Sequence, residues 1–410
     1  MPNRLMQFNN KLTQNVSAVA AGVVAFLIVW VVFLGYYSFK FGLDVPPATS
    51  GDETSYDSIG WQMSLGNGFR LDYDEPEFRQ PYELAAITNP ELFTLRKMQA
   101  GPTTVRPPLL PAVISGTNFL FGRQFWAVRV FNAACMAACC GLVVFVLVRQ
   151  LGVIPAAVVV VLFVAADVRT RLYGRAIMTE ALSAIIVACL AFTLFQFAKT
   201  ESKKSLLVVG VLTGVGILAR NIFVLWIPGL LLILFFIGRN NKTENMTFKR
   251  RAQQLAIWFL APAVLVPLPW LIRNCVVLES FKPMGTQGLT QLSAGFSDRI
   301  FAHFGEWQNM DQHNFFEGVV PQGASTLEAE LARAEFSKQE AIRWILHNPL
   351  KVVLLVPMKV FQEHWPNSLG ELVLLPLVML GCWKTIRTTE GQILLGLILT
   401  NAFAIGMTWS

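Results

Sequence analysis

The chain has 410 residues, 54% of them hydrophobic and only 14% charged, with a net charge of +7 and a mean hydropathy of +0.50. That is too little polar surface to wrap a soluble protein of this length, so a water-soluble enzyme is excluded and lipid must solvate much of the chain. The positive balance points to a membrane surface rather than to nucleic acid, and no nucleic-acid partner is expected.

The first apolar run, residues 16 to 39, carries no charge until Lys40. It is long enough to cross a hydrocarbon core of about 30 Å, which takes about 20 residues. It is too long for a cleavable signal peptide and lacks the small-residue cleavage site of one, so it reads as a retained span. Further runs follow at about 124–148, 153–167, 177–198, 205–219, 222–237, 253–272, 369–383 and 391–410. Lipid offers the backbone no hydrogen-bond partners, so these spans, about nine in all, are expected to be helical. The expected fold class is therefore all-α, a polytopic helical bundle formed as one unit over residues 1–410. The last run reaches Ser410 without a polar tail, which suggests a longer parent chain.

Lys and Arg set the orientation. With the N-terminus inside, the inner segments hold Arg4, Lys11, Arg149, Lys199, Lys203, Lys204, Arg239, Lys242, Lys249, Arg250, Arg251, Lys384 and Arg387, while the short outer ones hold only Arg169, Arg171, Arg175 and Arg220. Two long segments, 42–123 and 273–368, then lie outside. In the second, Ser325 with Glu328 three residues on predicts a capping box and a helix through Leu331, Ala334, Ile342 and Ile345 that stops at Asn348-Pro349. Residues 350–365 are long enough to cross, which would put Lys384 and Arg387 outside; the preferred reading is an interfacial helix anchored by Trp344 and Trp365. The expected location is a bacterial plasma (inner) membrane with an extracytoplasmic site.

Six cysteines, four of them inside spans, show neither a disulfide framework nor a zinc spacing. The sequons at Asn15, Asn241 and Asn245 lie on the inner side, where glycosylation does not occur. His303, Glu306, Asp311 and His313 are spaced too irregularly to predict a zinc site. No Gly-rich phosphate loop suggests a nucleotide-driven pump.

The chemistry gathers at the outer edge. Gly51-Asp52-Glu53-Thr54, with Tyr56 behind it, follows the first span by about a dozen residues. Ser50 stands at capping-box spacing from Glu53, which predicts a helix with Asp52 in its first turn. Free backbone N–H groups there favour a carboxylate able to take a proton from a hydroxyl. The plainer reading is the ordinary enrichment of acids at helix N-termini. Glu180 opens the fourth span at its outer end, where an ionisable residue is a functional hypothesis by default. Arg169, Arg171 and Arg175 just before it run against the charge bias, either to hold an anion or simply to pair with Glu180. Val105-Arg106-Pro107-Pro108 directs an extended chain into an apolar stretch and holds Arg106 at the same interface. Arg220 and Arg273 emerge on this side too. Any one of these arginines can be a snorkelling anchor; several beside carboxylates suit a phosphate-linked lipid, because the guanidinium fork makes paired, charge-assisted hydrogen bonds.

Asp52-Glu53-x-x-Tyr56, Arg106-Pro-Pro-Leu, Thr179-Glu180-Ala-Leu and Pro269-Trp-Leu-Ile-Arg-Asn274, followed by residues 283–295, together resemble the GT-C glycosyltransferases. More narrowly, they resemble glycosyltransferase family 39, the group of bacterial aminoarabinose transferase and the protein O-mannosyltransferases. The resemblance implies an inverting transferase that moves one sugar from a polyprenyl-phosphate donor to a lipid, glycan or protein hydroxyl. It implies Asp52 as general base, helped by Glu53, and places Arg106 at the donor phosphate, with Tyr56, Arg171, Arg175, Glu180, Arg220 and Arg273 as further substrate-binding candidates. No cofactor is expected, and a divalent metal finds no support, since Val105 stands where some relatives carry a Glu. Two other classes are a secondary transporter, which should show related halves and charges near the midplane, and a lipid flippase that keeps the fold without the base.

Overall fold

The structure, a computed structural model, describes residues 2–97, 99–240, 247–310 and 314–408. Asn241, Asn245, Asp311 and His313 lie outside the described residues. About 75% of it is helical, and the described strands form one short two-stranded sheet. Four helices are long and apolar enough to cross a membrane: Asn15–Phe41, Phe125–Leu151, Glu180–Thr200 and Thr389–Met407. Three bent pairs bring the number to seven if each is one span. The expected span at 153–167 turns by 74° after Ala166 into Val168–Arg175, and the one at 253–272 bends by 47° between Phe248–Leu265 and Leu268–Val277. Pro267 and Pro269 account for the second bend, since proline removes a helix donor and crowds the preceding turn. Three other expected spans are Lys203–Ala219, Asn221–Ile237 and Leu369–Thr385. Seventeen residues each give about 26 Å of helix, slightly short of a hydrocarbon core.

The first and second long helices pack closely because both are glycine where they cross. A Cβ on Gly22 would lie 2.9 Å from the Gly141 carbonyl oxygen, and one on Gly141 only 2.7 Å from that of Gly22. Small residues at a crossing let backbones approach, which is the chief source of helix association in lipid. At one end of the bundle Arg149 meets Asn15 at 2.5 Å and Arg251 pairs with Glu201 at 3.5 Å. At the other end lie the segments that follow the first span.

There the chain builds a second core from Tyr56, Ile59, Phe78, Tyr82, Leu110, Ile114 and Phe125. Asp57, fully enclosed, accepts from both Arg123 terminal nitrogens at 2.6 Å and from the Tyr82 hydroxyl at 2.8 Å. The Glu53–Ser64 helix lies on the Leu109–Phe121 helix, and Gly60 faces that contact. A Cβ there would sit 2.4 Å from Cγ2 of Ile114 and 3.1 Å from the Pro111 carbonyl. Gly60→Val should therefore force these helices apart, lowering the thermal unfolding midpoint in detergent by the equivalent of about 1–3 kcal/mol. An unchanged midpoint would show that this contact yields without cost.

In the 273–368 segment Thr326–His347 starts with the expected capping box, Ser325 and Glu328 satisfying each other's backbone. It stops before Asn348, and Pro349–His364 leaves at 111°. Among the described residues neither capping side chain has a hydrogen-bond partner outside the box, so local spacing decides the cap.

Candidate active site

The second expected capping box does not form. The helix begins at Glu53, Asp52 is its N-cap residue with helical dihedrals, and no side-chain cap bond is made. Both carboxylates are taken by tertiary partners instead. Asp52 accepts both terminal nitrogens of Arg106, at 2.7 and 2.5 Å. Glu53 turns inward, and its Oε1 accepts the Ile177 N–H at 2.7 Å. That bond ties the first acidic motif to the turn just before the second.

Arg106 is buried, whereas the Asp52 side chain is about half exposed (47%). The guanidinium lies over the Tyr56 ring, 5.3 Å from its centroid. The Gln287 amide, turned to satisfy its neighbours, accepts from Nη1 of Arg106 at 2.8 Å and donates to the Val105 carbonyl at 3.0 Å. Arg106 Nε has no partner among the described residues. Glu180, first residue of the Glu180–Thr200 helix, accepts from Arg220 at 3.0 Å. Its second oxygen is buried without a partner among the described residues. Tyr56 sits among both pairs: its phenol feels the charges of Arg106, Asp52, Arg220 and Glu180, while burial pushes it up from its ordinary value. Asp52, Glu53, Tyr56, Arg106, Glu180 and Arg220 are thus brought together at one end of the bundle.

The other arginines separate by what they already hold. Arg171 donates to the Val164 and Ala165 carbonyls at 3.0 and 2.5 Å, closing the end of the preceding helix. Arg273 donates to the Thr103 carbonyl at 2.6 Å and the Phe69 carbonyl at 3.0 Å and stacks on Trp270 and Phe69. Arg169 reaches the Glu363 carbonyl at 2.8 Å. These three act as ties between segments. Arg175 differs: its guanidinium lies 3.9 Å from the Phe41 ring centroid and close enough to Glu53 to draw its carboxyl down. No described residue takes a hydrogen bond from it.

Sequence reasoning missed Arg129 and Asn132. Arg129 donates to the Leu43 and Val45 carbonyls at 2.6 Å each and so fixes the chain leading to Asp52. Asn132 donates to the Ala176 carbonyl at 2.5 Å and fixes the turn leading to Glu180. Both are polar residues one helical turn apart inside an apolar span, which is the signal that could have found them.

Burial pushes the Glu53 carboxyl up from its ordinary value, against the pull of the Ile177 N–H, Arg129 and Arg175. An acid raised in this way stabilises the folded state most when protonated, below its unfolded value, and that contribution fades as pH rises through the folded value. Glu53→Gln keeps an acceptor for Ile177 and cannot ionise. Its unfolding midpoint should equal or exceed the wild type's at pH 8, with the advantage shrinking as pH falls towards 5. A deficit that is largest at pH 8 would show that the charged form of Glu53 is the stabilising one.

Among the described residues no three His, Cys, Asp or Glu side chains converge to hold a metal ion. Residues 105–270 match the family of dolichyl-phosphate-mannose-protein mannosyltransferases. Of solved structures, the chain is similar to that of ArnT from Cupriavidus metallidurans bound to undecaprenyl phosphate, with 14% identity and a TM-score of 0.46 over 95% of this chain and 76% of that one. It is also similar to ArnT from the same organism in the apo state, with 15% identity and a TM-score of 0.42 over 96% and 77% of the two chains. Comparison with the curated proteins finds no match. The family match runs from Val105 through the Arg106 and Glu180 motifs to Trp270.

Proposed function

We propose that the protein is an inverting glycosyltransferase that moves one sugar from a polyprenyl-phosphate donor to an acceptor hydroxyl of a lipid, glycan or protein at the extracytoplasmic face. The observation that carries this reading is the half-exposed Asp52 carboxylate held by a buried Arg106 beside a second acid–arginine pair, Glu180–Arg220. The matched family's name, with its dolichyl-phosphate-mannose donor, supports the donor class.

The chemistry needs one base and a sink for phosphate charge. The acceptor oxygen attacks the anomeric carbon as the bond from that carbon to the phosphate oxygen breaks, and a single displacement inverts the centre. Polyprenyl phosphate leaves as a stabilised anion, so no carboxylic acid is required to protonate it, unlike the leaving oxygen in a glycosidase. Asp52 takes the acceptor's proton. Arg106 receives the phosphate, helped by Arg175, from which no described residue takes a hydrogen bond, and by Arg220. In the resting site Asp52 neutralises Arg106, and both of its oxygens are engaged by that guanidinium. The donor phosphate competes for the same guanidinium, so its arrival frees Asp52 for the acceptor.

The test is incubation of the purified protein with labelled polyprenyl-phosphate sugars and membrane extract. Wild-type protein should transfer label to an extractable product, and absence of transfer from every sugar tried would count against the enzyme reading. The orientation is tested apart from this, by labelling a single cysteine at position 75 in a cysteine-free background. It should react in intact cells; reaction only after lysis would invert the map.

A further inference from the structure

Glu330 lies in the Thr326–His347 helix, more than two hundred residues after the Arg106 motif and outside every motif that led to the site. Its carboxylate is nonetheless enclosed by that motif's flank. Oε1 accepts from the Thr103 hydroxyl. Oε2 accepts from the Thr104 N–H at 3.0 Å, the Thr104 hydroxyl at 3.1 Å and the Thr286 hydroxyl at 3.1 Å. Four donors on one partly buried carboxylate describe a well-satisfied node, the condition under which a polar network rigidifies its surroundings.

What the node holds is the support of Arg106 from two sides. Thr103 and Thr104 are the residues just ahead of Val105-Arg106. Thr286 precedes Gln287, whose amide bridges the Val105 carbonyl and the Arg106 guanidinium. The two arms also touch each other: the Thr104 and Thr286 hydroxyls are 3.2 Å apart. Gly285, at φ +73°, lies so close that a Cβ there would be 2.2 Å from the Thr104 carbonyl oxygen. The N-terminus of the Glu330 helix is seated on the chain just ahead of these threonines, with the Thr326 hydroxyl donating to the Gln99 carbonyl at 2.6 Å.

We infer that Glu330 is a positioning residue for the donor-phosphate site: by clamping Thr103-Thr104 and Thr286 together it fixes both the backbone that carries Arg106 and the amide that orients its guanidinium. The inference rests on the reading of Arg106 as the phosphate residue. It makes the second outer segment part of donor recognition without touching the donor. Guanidinium geometry matters because displacement of a binding group by about 1 Å can cost on the order of 10²-fold in rate.

The experiment is a kinetic double-mutant cycle with a polyprenyl-phosphate sugar. Glu330→Ala should lower kcat/KM for the donor by about 10-fold to 10²-fold. Glu330→Gln, which keeps an acceptor oxygen and can donate to a threonine hydroxyl, should restore most of it. On an Arg106→Ala background, Glu330→Ala should add almost nothing, since the group it positions is gone. A general structural role would instead multiply the two losses, and that result would overturn the inference. Should Glu330→Ala fail to fold, Thr286→Val cuts one arm alone and takes its place in the cycle. A strong Arg106→Ala effect with a silent clamp variant would overturn this inference while leaving the phosphate site standing, whereas a silent Arg106→Ala would overturn both.

Discussion

Asp52→Asn should lower sugar transfer by roughly 10²-fold to 10⁴-fold, the range typical of losing acid–base help, with little change in protein yield or unfolding midpoint. Asn matches the size of Asp and still offers Arg106 one carbonyl acceptor, so the loop stays in place. The side chain is half exposed, which lets water reach the part of the guanidinium that loses its partner. What disappears is the basicity. Because the proton moves only as the acceptor attacks, the loss should fall on the maximal rate, while donor KM stays nearly constant or improves as the phosphate no longer competes with a carboxylate for Arg106. Initial rates over a donor series separate the two constants. Near-normal turnover would send the base role to Glu180, whose second oxygen is buried and unpartnered among the described residues.

Those acids were legible in the sequence because charges are rare in this chain and the membrane confines them to its edges. The partners of each were not. Ser325/Glu328 and Ser50/Glu53 have the same spacing, yet only the first caps its helix. Local rules decide where side chains face water; at Glu53 a backbone N–H supplied by Ile177, far along the chain, offers a better bond in a drier place. The arginines separate for the same reason. Position alone made Arg106, Arg171, Arg175, Arg220 and Arg273 equivalent cations, but carbonyls at a helix end engage Arg171 and the Thr103 carbonyl engages Arg273. Buried carbonyls must be paired wherever the fold leaves them, and a sequence does not reveal where that will be. Arg129 and Glu330 escaped notice from the other direction: each lies outside the site motifs and acts on the backbone that carries one.

Arg106→Ala should reduce donor kcat/KM on the order of 10²-fold to 10³-fold, as removal of a preorganised charge-stabilising donor does elsewhere. Asp52 would then be unpaired, but it is open to solvent on one side, so the protein should still fold. Two mechanisms make separate demands on the numbers. If Arg106 only anchors the loop to the interface, donor dependence and maximal rate both stay at wild-type levels. If it holds the phosphate, apparent donor binding weakens; because negative charge on that phosphate grows as the glycosidic bond breaks, the maximal rate must fall as well. Arg106→Lys refines the comparison. It keeps the charge but supplies a point donor in place of the fork, and it loses the planar face that lies over Tyr56, so its loss should be clearly smaller than that of Ala yet present in both constants. Wild-type kinetics in the Ala variant would move the phosphate to Arg175, from which no described residue takes a hydrogen bond, and Arg175→Ala should then carry the full loss.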